Sequence, residues 1–247
     1  MTKHIFAELG WNVHAVGDEV HGAAEVIPPL LVPLAGRLRV SVLAAWADHL
    51  MGLVAARIVT PRVPATLELD VQLLEPAPDS GRVRGRGRLL KSGRTVVFAG
   101  VDFFDAHDRR FAIAGGSFML AGDPNVRLPP RLSLDLPDEP ARLTIPFAER
   151  AGCTLRGPGI AALERREDGL NSSNTINGGL LALAAEEALR SLSAGRDLCS
   201  LSLRYLRPCR LGPAVAVAEQ HGSLGVVQIS DEGSQGRLTV AGSARVF

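Results

Sequence analysis

The sequence predicts an α+β protein in which one structural unit occurs twice, and three observations support this. Each half contains one long apolar segment suited to a helix, at residues 40–58 and 178–192. In each half one strand pattern precedes this segment and four strand patterns follow it. The chain between the halves is rich in proline. A repeat of this length indicates a duplicated domain, not a solenoid.

The predicted domains are residues 1–122 and 147–247, joined by an extended linker at 123–146. The strands of the first half are predicted at 18–32, 65–75, 82–90, 95–104 and 111–120. Those of the second half are predicted at 159–166, 198–206, 214–220, 226–230 and 236–246. Because an apolar helix must be covered on most sides, each antiparallel sheet is expected to wrap around its helix.

Composition narrows the choice of function. The chain is 46% hydrophobic and 21% charged, as expected for a soluble globular protein. A formal net charge of +1 gives no overall attraction to nucleic acid or to an acidic membrane. We find neither a signal sequence nor a run approaching the roughly 20 apolar residues of a membrane span, so we expect a cytoplasmic protein. The three cysteines lack metal-ligand spacing, and no metal or cofactor is expected.

The first candidate for chemistry is Asp48. Within residues 40–56 only Asp48 and His49 are ionisable, and burying an unpaired charge in such a helix is costly. Asp48 shares a face of small residues with Ser41 and Gly52, which leaves room for a ligand beside the carboxylate. The alternative is that this face only meets a narrow, wet groove.

The second candidate is Glu186, at a similar phase of the second helix. That helix opens with Gly178 and Gly179, where backbone N–H groups can approach an anionic ligand closely. The alternative is an exposed ion pair between Glu186 and Arg190 at i, i+4 spacing. Either acid, if surrounded by apolar residues, should have a raised pKa and so be a better base near neutral pH.

The stretch from Asn171 to Glu186 resembles the phenylacetic-acid-type branch of the hotdog-fold acyl-CoA thioesterases. In that branch an Asn or Gln stands six residues before a His-Gly-Gly, and an Asp or Glu stands nine residues after the His. Asn171 and Glu186 keep both spacings, whereas Asn177 replaces the His. The resemblance implies two tandem hotdog domains, paired like the subunits of a hotdog dimer, with sites between the halves.

The resemblance also implies roles for individual residues. Glu186 would be the nucleophile or the general base, the N–H of Gly178 would hold the thioester oxygen, and Asn171 would orient water or substrate. In the first half Asp48 is kept, but Arg39-Val40-Ser41 stand in place of His-Gly-Gly and Pro33 in place of the Asn. Asp48 is therefore a second candidate site. Its substrate contacts would include Val40 and Ser41. At the Glu186 site Asn177 would contact the substrate, and Gly179 would belong to the catalytic group with Gly178.

Two groups of arginines are candidates for the phosphates of coenzyme A. Arg82 and Arg84 alternate along one predicted strand with further arginines and so share a face, and Arg204 and Arg207 lie near the other half's site. A solvated outer face is the commoner explanation for such an alternation.

The sequence thus predicts hydrolysis of an acyl-CoA or acyl-carrier thioester, with Glu186→Gln removing most activity. If Glu186→Gln hydrolyses the substrate as fast as wild type while Asp48→Asn is inactive, the working site is the one around Asp48 instead. One rival is a hotdog enoyl-thioester hydratase or dehydratase that uses Asp48 and His49, although adjacent helical residues point about 100° apart. Another is a non-catalytic acyl-CoA-binding protein. Chain length, thiol carrier and homo-oligomerisation stay open.

Overall fold

The computed structural model describes residues 4–120, 127–128, 142–193 and 196–247. The first half contains helix α1 and six strands: β1 (Asn12–Val16), β2 (Glu19–Glu25), α1 (Val40–Val59), β3 (Pro64–Leu73), β4 (Arg82–Ser92), β5 (Val96–Phe104) and β6 (Arg110–Leu120). The second half repeats this order after a short helix: α2 (Phe147–Ala151), β7 (Cys153–Gly157), β8 (Ile160–Leu163), α3 (Gly178–Leu192), β9 (Leu198–Tyr205), β10 (Ala214–His221), β11 (Leu224–Asp231) and β12 (Arg237–Val246).

All twelve strands form one antiparallel sheet in the order β1-β2-β4-β5-β6-β3-β9-β12-β11-β10-β8-β7. Read outwards from the centre, each half has the same strand order. The halves meet where β3 pairs with β9, in a register that places Leu69 opposite Leu203 and Val71 opposite Leu201. All four of these side chains are buried at the centre of the core. The predicted α+β class is confirmed, whereas the two antiparallel sheets predicted, one for each half, are joined into one because β3 pairs with β9.

The helices α1 and α3 lie side by side on the inner face of the sheet. A Cβ added at Gly179 would come within 2.9 Å of Ala45 Cβ, so the start of α3 approaches α1 very closely. Trp46 of α1 stacks on Trp11 at 4.5 Å between ring centroids, which ties the N-terminal segment to the core. α1 is buried on nearly all sides, which explains why its sequence has no continuous polar stripe.

The strand predictions differ from the structure in number. Within the described residues each half has six strands, whereas five were predicted; β1 and β7 are the additional ones. Both are five-residue edge strands in which a single residue is buried, so they lack the alternation by which strands are recognised. The predicted linker at 123–146 falls mostly outside the described residues. In the described chain α1 is also the one helix long and apolar enough to cross a membrane, and 61% of its most apolar window is buried within the protein.

Candidate functional site

The carboxylate of Asp48 is half-buried where α1 faces the junction of the two halves. Thr66 of β3 donates a hydrogen bond from Oγ1 to Asp48 Oδ1 at 2.8 Å. The other carboxylate oxygen accepts no hydrogen bond from the described residues. Burial raises the pKa of Asp48 to about 6, and the hydrogen bond from Thr66 opposes this rise. Asp48 is therefore a carboxylate poised to exchange a proton near neutral pH.

The N-terminus of α3 approaches α1 about one helical turn before Asp48, since a Cβ at Gly179 would lie 2.9 Å from Ala45 Cβ. Tyr205, at the end of β9, donates a hydrogen bond from its hydroxyl to the carbonyl oxygen of Gly178 at 3.0 Å. Burial, followed by the nearby negative charge of Asp48, raises the pKa of the Tyr205 phenol well above its ordinary value. Tyr205 thus contacts the first residue of α3 and is affected by the charge of Asp48 on α1. The start of α3 and the Asp48 carboxylate therefore lie on the same side of the junction between the halves.

The backbone N–H groups at this helix start differ in their partners. The N–H of Gly179 donates to Oδ1 of Asn177 at 2.9 Å, so Asn177 caps the helix. The N–H of Gly178 donates to no acceptor within the described part of the chain. A free N–H at a helix N-terminus attracts an oxyanion. The structure therefore leaves Gly178, the residue predicted from the sequence, as the available donor.

Asn171 lies in the turn that leads into α3. Its side-chain oxygen accepts from the N–H groups of Ser173 at 2.9 Å and Thr175 at 3.2 Å. This turn is closed onto the helix start by the bond from Asn177 N to Gly169 O at 3.0 Å. The amide nitrogen of Asn171 donates to no acceptor among the described residues. The side chain is thus held by its oxygen and retains its donors for a ligand.

The carboxylate of Glu186 has a different environment. It lies at the N-terminus of α1 and accepts hydrogen bonds from Val40 N at 2.9 Å, Ser41 N at 3.3 Å and Ser41 Oγ at 2.6 Å. The guanidinium of Arg39 completes the set at 2.9 Å and also contacts Glu187 at 2.6 Å. Arg39 and Glu186 are each 1% exposed, so this ion pair is buried, whereas Glu187 at its edge is 16% exposed.

These contacts regroup the predicted residues. Glu186 lies eight residues beyond Gly178 on the same helix, about 12 Å along its axis, and its carboxylate meets Val40 and Ser41 instead. Glu186 thus binds the helix start of the other half directly, whereas Asp48 approaches the start of α3 through Tyr205. Val40 and Ser41, predicted as substrate contacts, have their N–H groups occupied by Glu186.

The predicted phosphate-binding arginines lie on the outer surface. Arg84 pairs with Asp108 at 2.8 Å, and both side chains are largely exposed. Arg82 begins the same strand, three strands away from β3 in the sheet. Arg204 is exposed and pairs with Glu68 at 3.5 Å, while Arg207 donates to the carbonyl of Leu238 at 3.4 Å. The solvated-face alternative therefore accounts for Arg84.

Two side chains of the site, those of Thr66 and Tyr205, were not singled out in the sequence. Thr66 and Tyr205 lie on strands from different halves, so only the pairing of β3 with β9 brings them to Asp48.

His49 is exposed on α1, away from the half-buried Asp48. No group of three or more His, Cys, Asp or Glu side chains suited to a metal occurs among the described residues.

Comparison with known proteins agrees with this architecture. Residues 40–112 match the sequence model of the thioesterase superfamily, a segment that begins with α1 and includes Asp48. No curated protein matches the chain. An acyl-ACP thioesterase from Bacteroides thetaiotaomicron is similar in structure, with a TM-score of 0.63, 16% identity, and coverage of 92% of this chain and 98% of that one. A 12:0-ACP thioesterase from Umbellularia californica gives a TM-score of 0.64, 14% identity, and coverage of 95% and 99%. At these identities the likeness establishes a shared hotdog-type fold across nearly the whole chain.

Proposed function

We propose that this protein is an acyl thioesterase with one working site, built from both halves around Asp48. The proposal rests on Tyr205, which bonds the carbonyl of Gly178 at the start of α3 and is also close enough to feel the charge of the half-buried Asp48, whose pKa is about 6. Thioester hydrolysis needs a base and an oxyanion donor, and Asp48 and the N–H of Gly178 supply both. The family match over residues 40–112 supports the proposal because it includes Asp48.

In the proposed reaction Asp48 acts as a general base. Its carboxylate removes a proton from a water molecule, whose oxygen attacks the carbonyl carbon of the thioester. The negative charge on the carbonyl oxygen is stabilised by the N–H of Gly178 and the N-terminal end of α3. The C–S bond then breaks, the thiolate takes the proton from Asp48, and the free acid leaves. The amide nitrogen of Asn171 is the proposed donor that orients the water or the substrate.

Glu186 is proposed to hold the halves together instead of catalysing. Its carboxylate occupies the N–H groups of Val40 and Ser41, the positions where a second thioester oxygen would bind. The ion pair with Arg39 is buried, and the cavity that Glu186 and Val40 line has a volume of only about 10 Å³, too small for a substrate. This arrangement supports two tandem hotdog domains, residues 1–122 and 147–247, paired as a pseudo-dimer with one of its two sites closed.

The thiol carrier is proposed to be coenzyme A or an acyl-carrier protein. The spacing of Asn171, Asn177 and Glu186 resembles the acyl-CoA branch, whereas the two similar structures are acyl-ACP thioesterases. We propose a cytoplasmic enzyme that needs no cofactor. The hydratase alternative requires Asp48 and His49 to act together, and the exposed position of His49 disfavours it. A binding protein without turnover is distinguished by experiment.

The test is release of free thiol from a panel of medium-chain and aromatic acyl-CoA and acyl-ACP substrates, followed with a thiol-detecting reagent. Asp48→Asn should lower kcat by about 10²–10⁴-fold, the usual contribution of a general base. Glu186→Gln, its counterpart in the other half, should retain most of the activity at a temperature where it is folded. A fast Asp48→Asn with an inactive but folded Glu186→Gln would refute the assignment. Loss of enoyl absorbance without thiol release would favour the hydratase, and tight binding without turnover the binding protein.

A further inference from the structure

Tyr205 is the one tyrosine in the sequence, and it lies where the two halves meet. It ends β9 of the second half, next to β3 of the first half, which carries Thr66. Its side chain is half-buried and contacts the start of α3. The hydroxyl of Tyr205 thus reaches Gly178, the proposed oxyanion donor, from a strand of the sheet.

The peptide group between Gly178 and Gly179 is held at both of its polar atoms by side chains. Its carbonyl oxygen accepts from the Tyr205 hydroxyl at 3.0 Å, and its N–H donates to Asn177 Oδ1 at 2.9 Å. Two consecutive glycines have more backbone freedom than any other pair of residues. Such a helix start would otherwise fray, because its first N–H groups have no partners within the helix.

Packing around the two glycines reinforces these hydrogen bonds. A Cβ at Gly178 would lie 3.2 Å from the Tyr205 ring, and a Cβ at Gly179 would lie 2.7 Å from Phe6 Cζ. Glycine is therefore required for α3 to approach its neighbours, and the freedom it brings has to be removed by other groups. Tyr205 and Asn177 are the described side chains that bond this peptide.

We propose that Tyr205 is a positioning residue for thioester hydrolysis: its hydroxyl fixes the Gly178–Gly179 peptide and so restrains the backbone rotations of Gly178, which set the direction of the Gly178 N–H on the adjoining peptide. The inference rests on the proposed function for its catalytic consequence, whereas the fixing of the peptide is a property of the fold. Because the hydroxyl restrains the residue whose N–H stabilises the transition state, its loss should lower kcat more than it changes KM.

The first measurement is kinetic. Tyr205→Phe removes only the hydroxyl and should lower kcat by about five- to tenfold, the effect of one neutral hydrogen bond, with KM nearly unchanged. Asn177→Ala should have a similar effect. Because either loss frees the same peptide, the double variant should be less impaired than the product of the single effects. Equal kcat in Tyr205→Phe and wild type would overturn the inference, as would a strict product in the double variant.

Ser193→Ala is the matched control. Its hydroxyl also donates to a carbonyl of α3, that of Leu189 at 2.8 Å, but at the opposite end of the helix. Ser193→Ala should leave kcat unchanged even where it lowers stability as much as Tyr205→Phe does. If both variants lower kcat in proportion to lost stability, Tyr205 has a structural role only and the inference fails.

The second measurement does not depend on activity. Amide hydrogen exchange of protein labelled with ¹⁵N-glycine should show faster exchange at Gly179 in Tyr205→Phe than in wild type, and no change there in Ser193→Ala. Unchanged exchange would overturn the inference. If wild-type protein hydrolyses no thioester while exchange at Gly179 responds as expected, the proposed function fails and the positioning of the peptide by Tyr205 stands.

Discussion

The hydroxyl of Ser41 and the carboxylate of Glu186 lie 2.6 Å apart although 145 residues separate them in the chain. Glu186 reaches the start of α1 from the other half and binds the N–H groups of Val40 and Ser41. Asp48, in the corresponding place on α1, is shorter by one methylene group and bonds Thr66 instead. Each helix thus carries an acid at the corresponding position, but only Glu186 binds the N–H groups at the start of the opposite helix.

We expect Glu186→Ala to destabilise the protein strongly. Removing one member of a buried ion pair leaves the other charge unpaired, which costs about 3–5 kcal/mol. Urea unfolding measures this free energy. The control is Glu232→Ala, which breaks the exposed pair with Arg156 and should change the free energy of unfolding far less, because water and salt screen exposed charges. Similar losses in the two variants would contradict a clamp between Arg39 and Glu186.

The pH dependence of hydrolysis should follow the ionisation of Asp48. A general base acts in its deprotonated form, so kcat should rise with pH and level off above the pKa of about 6. Initial rates at saturating substrate between pH 4.5 and 8.5 test this. A profile that is flat between pH 5 and pH 7 would mean that Asp48 is not the titrating base.

Thr66→Val should move this inflection to higher pH. The hydroxyl of Thr66 donates to the carboxylate at 2.8 Å and lowers the pKa of Asp48 against the effect of burial. Valine is close to threonine in size but cannot donate, so the protonated acid becomes more favoured. The same pH–rate profile measures the shift, with Thr239→Val, which loses a hydroxyl bond to Ile229, as the control. An unmoved inflection would show that the bond does not influence the base.

Asp48→Asn should be more stable than wild type, and increasingly so as the pH rises. The pKa of Asp48 is about 6 in the folded protein against 3.8 as its ordinary value, so the folded state binds the proton more tightly. Wild-type stability relative to the variant therefore falls between about pH 4 and pH 6 and is lowest above pH 6. Thermal unfolding of both proteins at pH 4.5 and pH 8 provides the comparison. A stability difference that is the same at both values would contradict a raised pKa.

The long helices and most strands follow from local sequence. The predicted helix at 178–192 has the bounds of α3, and 40–58 differs from α1 by one residue, because both are uninterrupted Ala/Leu-rich segments. The edge strands β1 and β7 were missed because most of their residues are exposed, which removes the alternation that identifies a strand.

The sequence by itself determined the α+β class, the repeated order of elements, the two helix-borne acids and the glycine pair at the start of α3. Only the tertiary structure decided which acid approaches which helix start, because that depends on contacts between residues more than 100 positions apart, such as Val40 with Glu186 and Ala45 with Gly179. The tertiary structure pairs Arg39 with Glu186 and leaves the second carboxylate oxygen of Asp48 without a hydrogen bond from the described residues. The physical reason is that burial and hydrogen bonding, not residue type, set the charge and accessibility of a carboxylate.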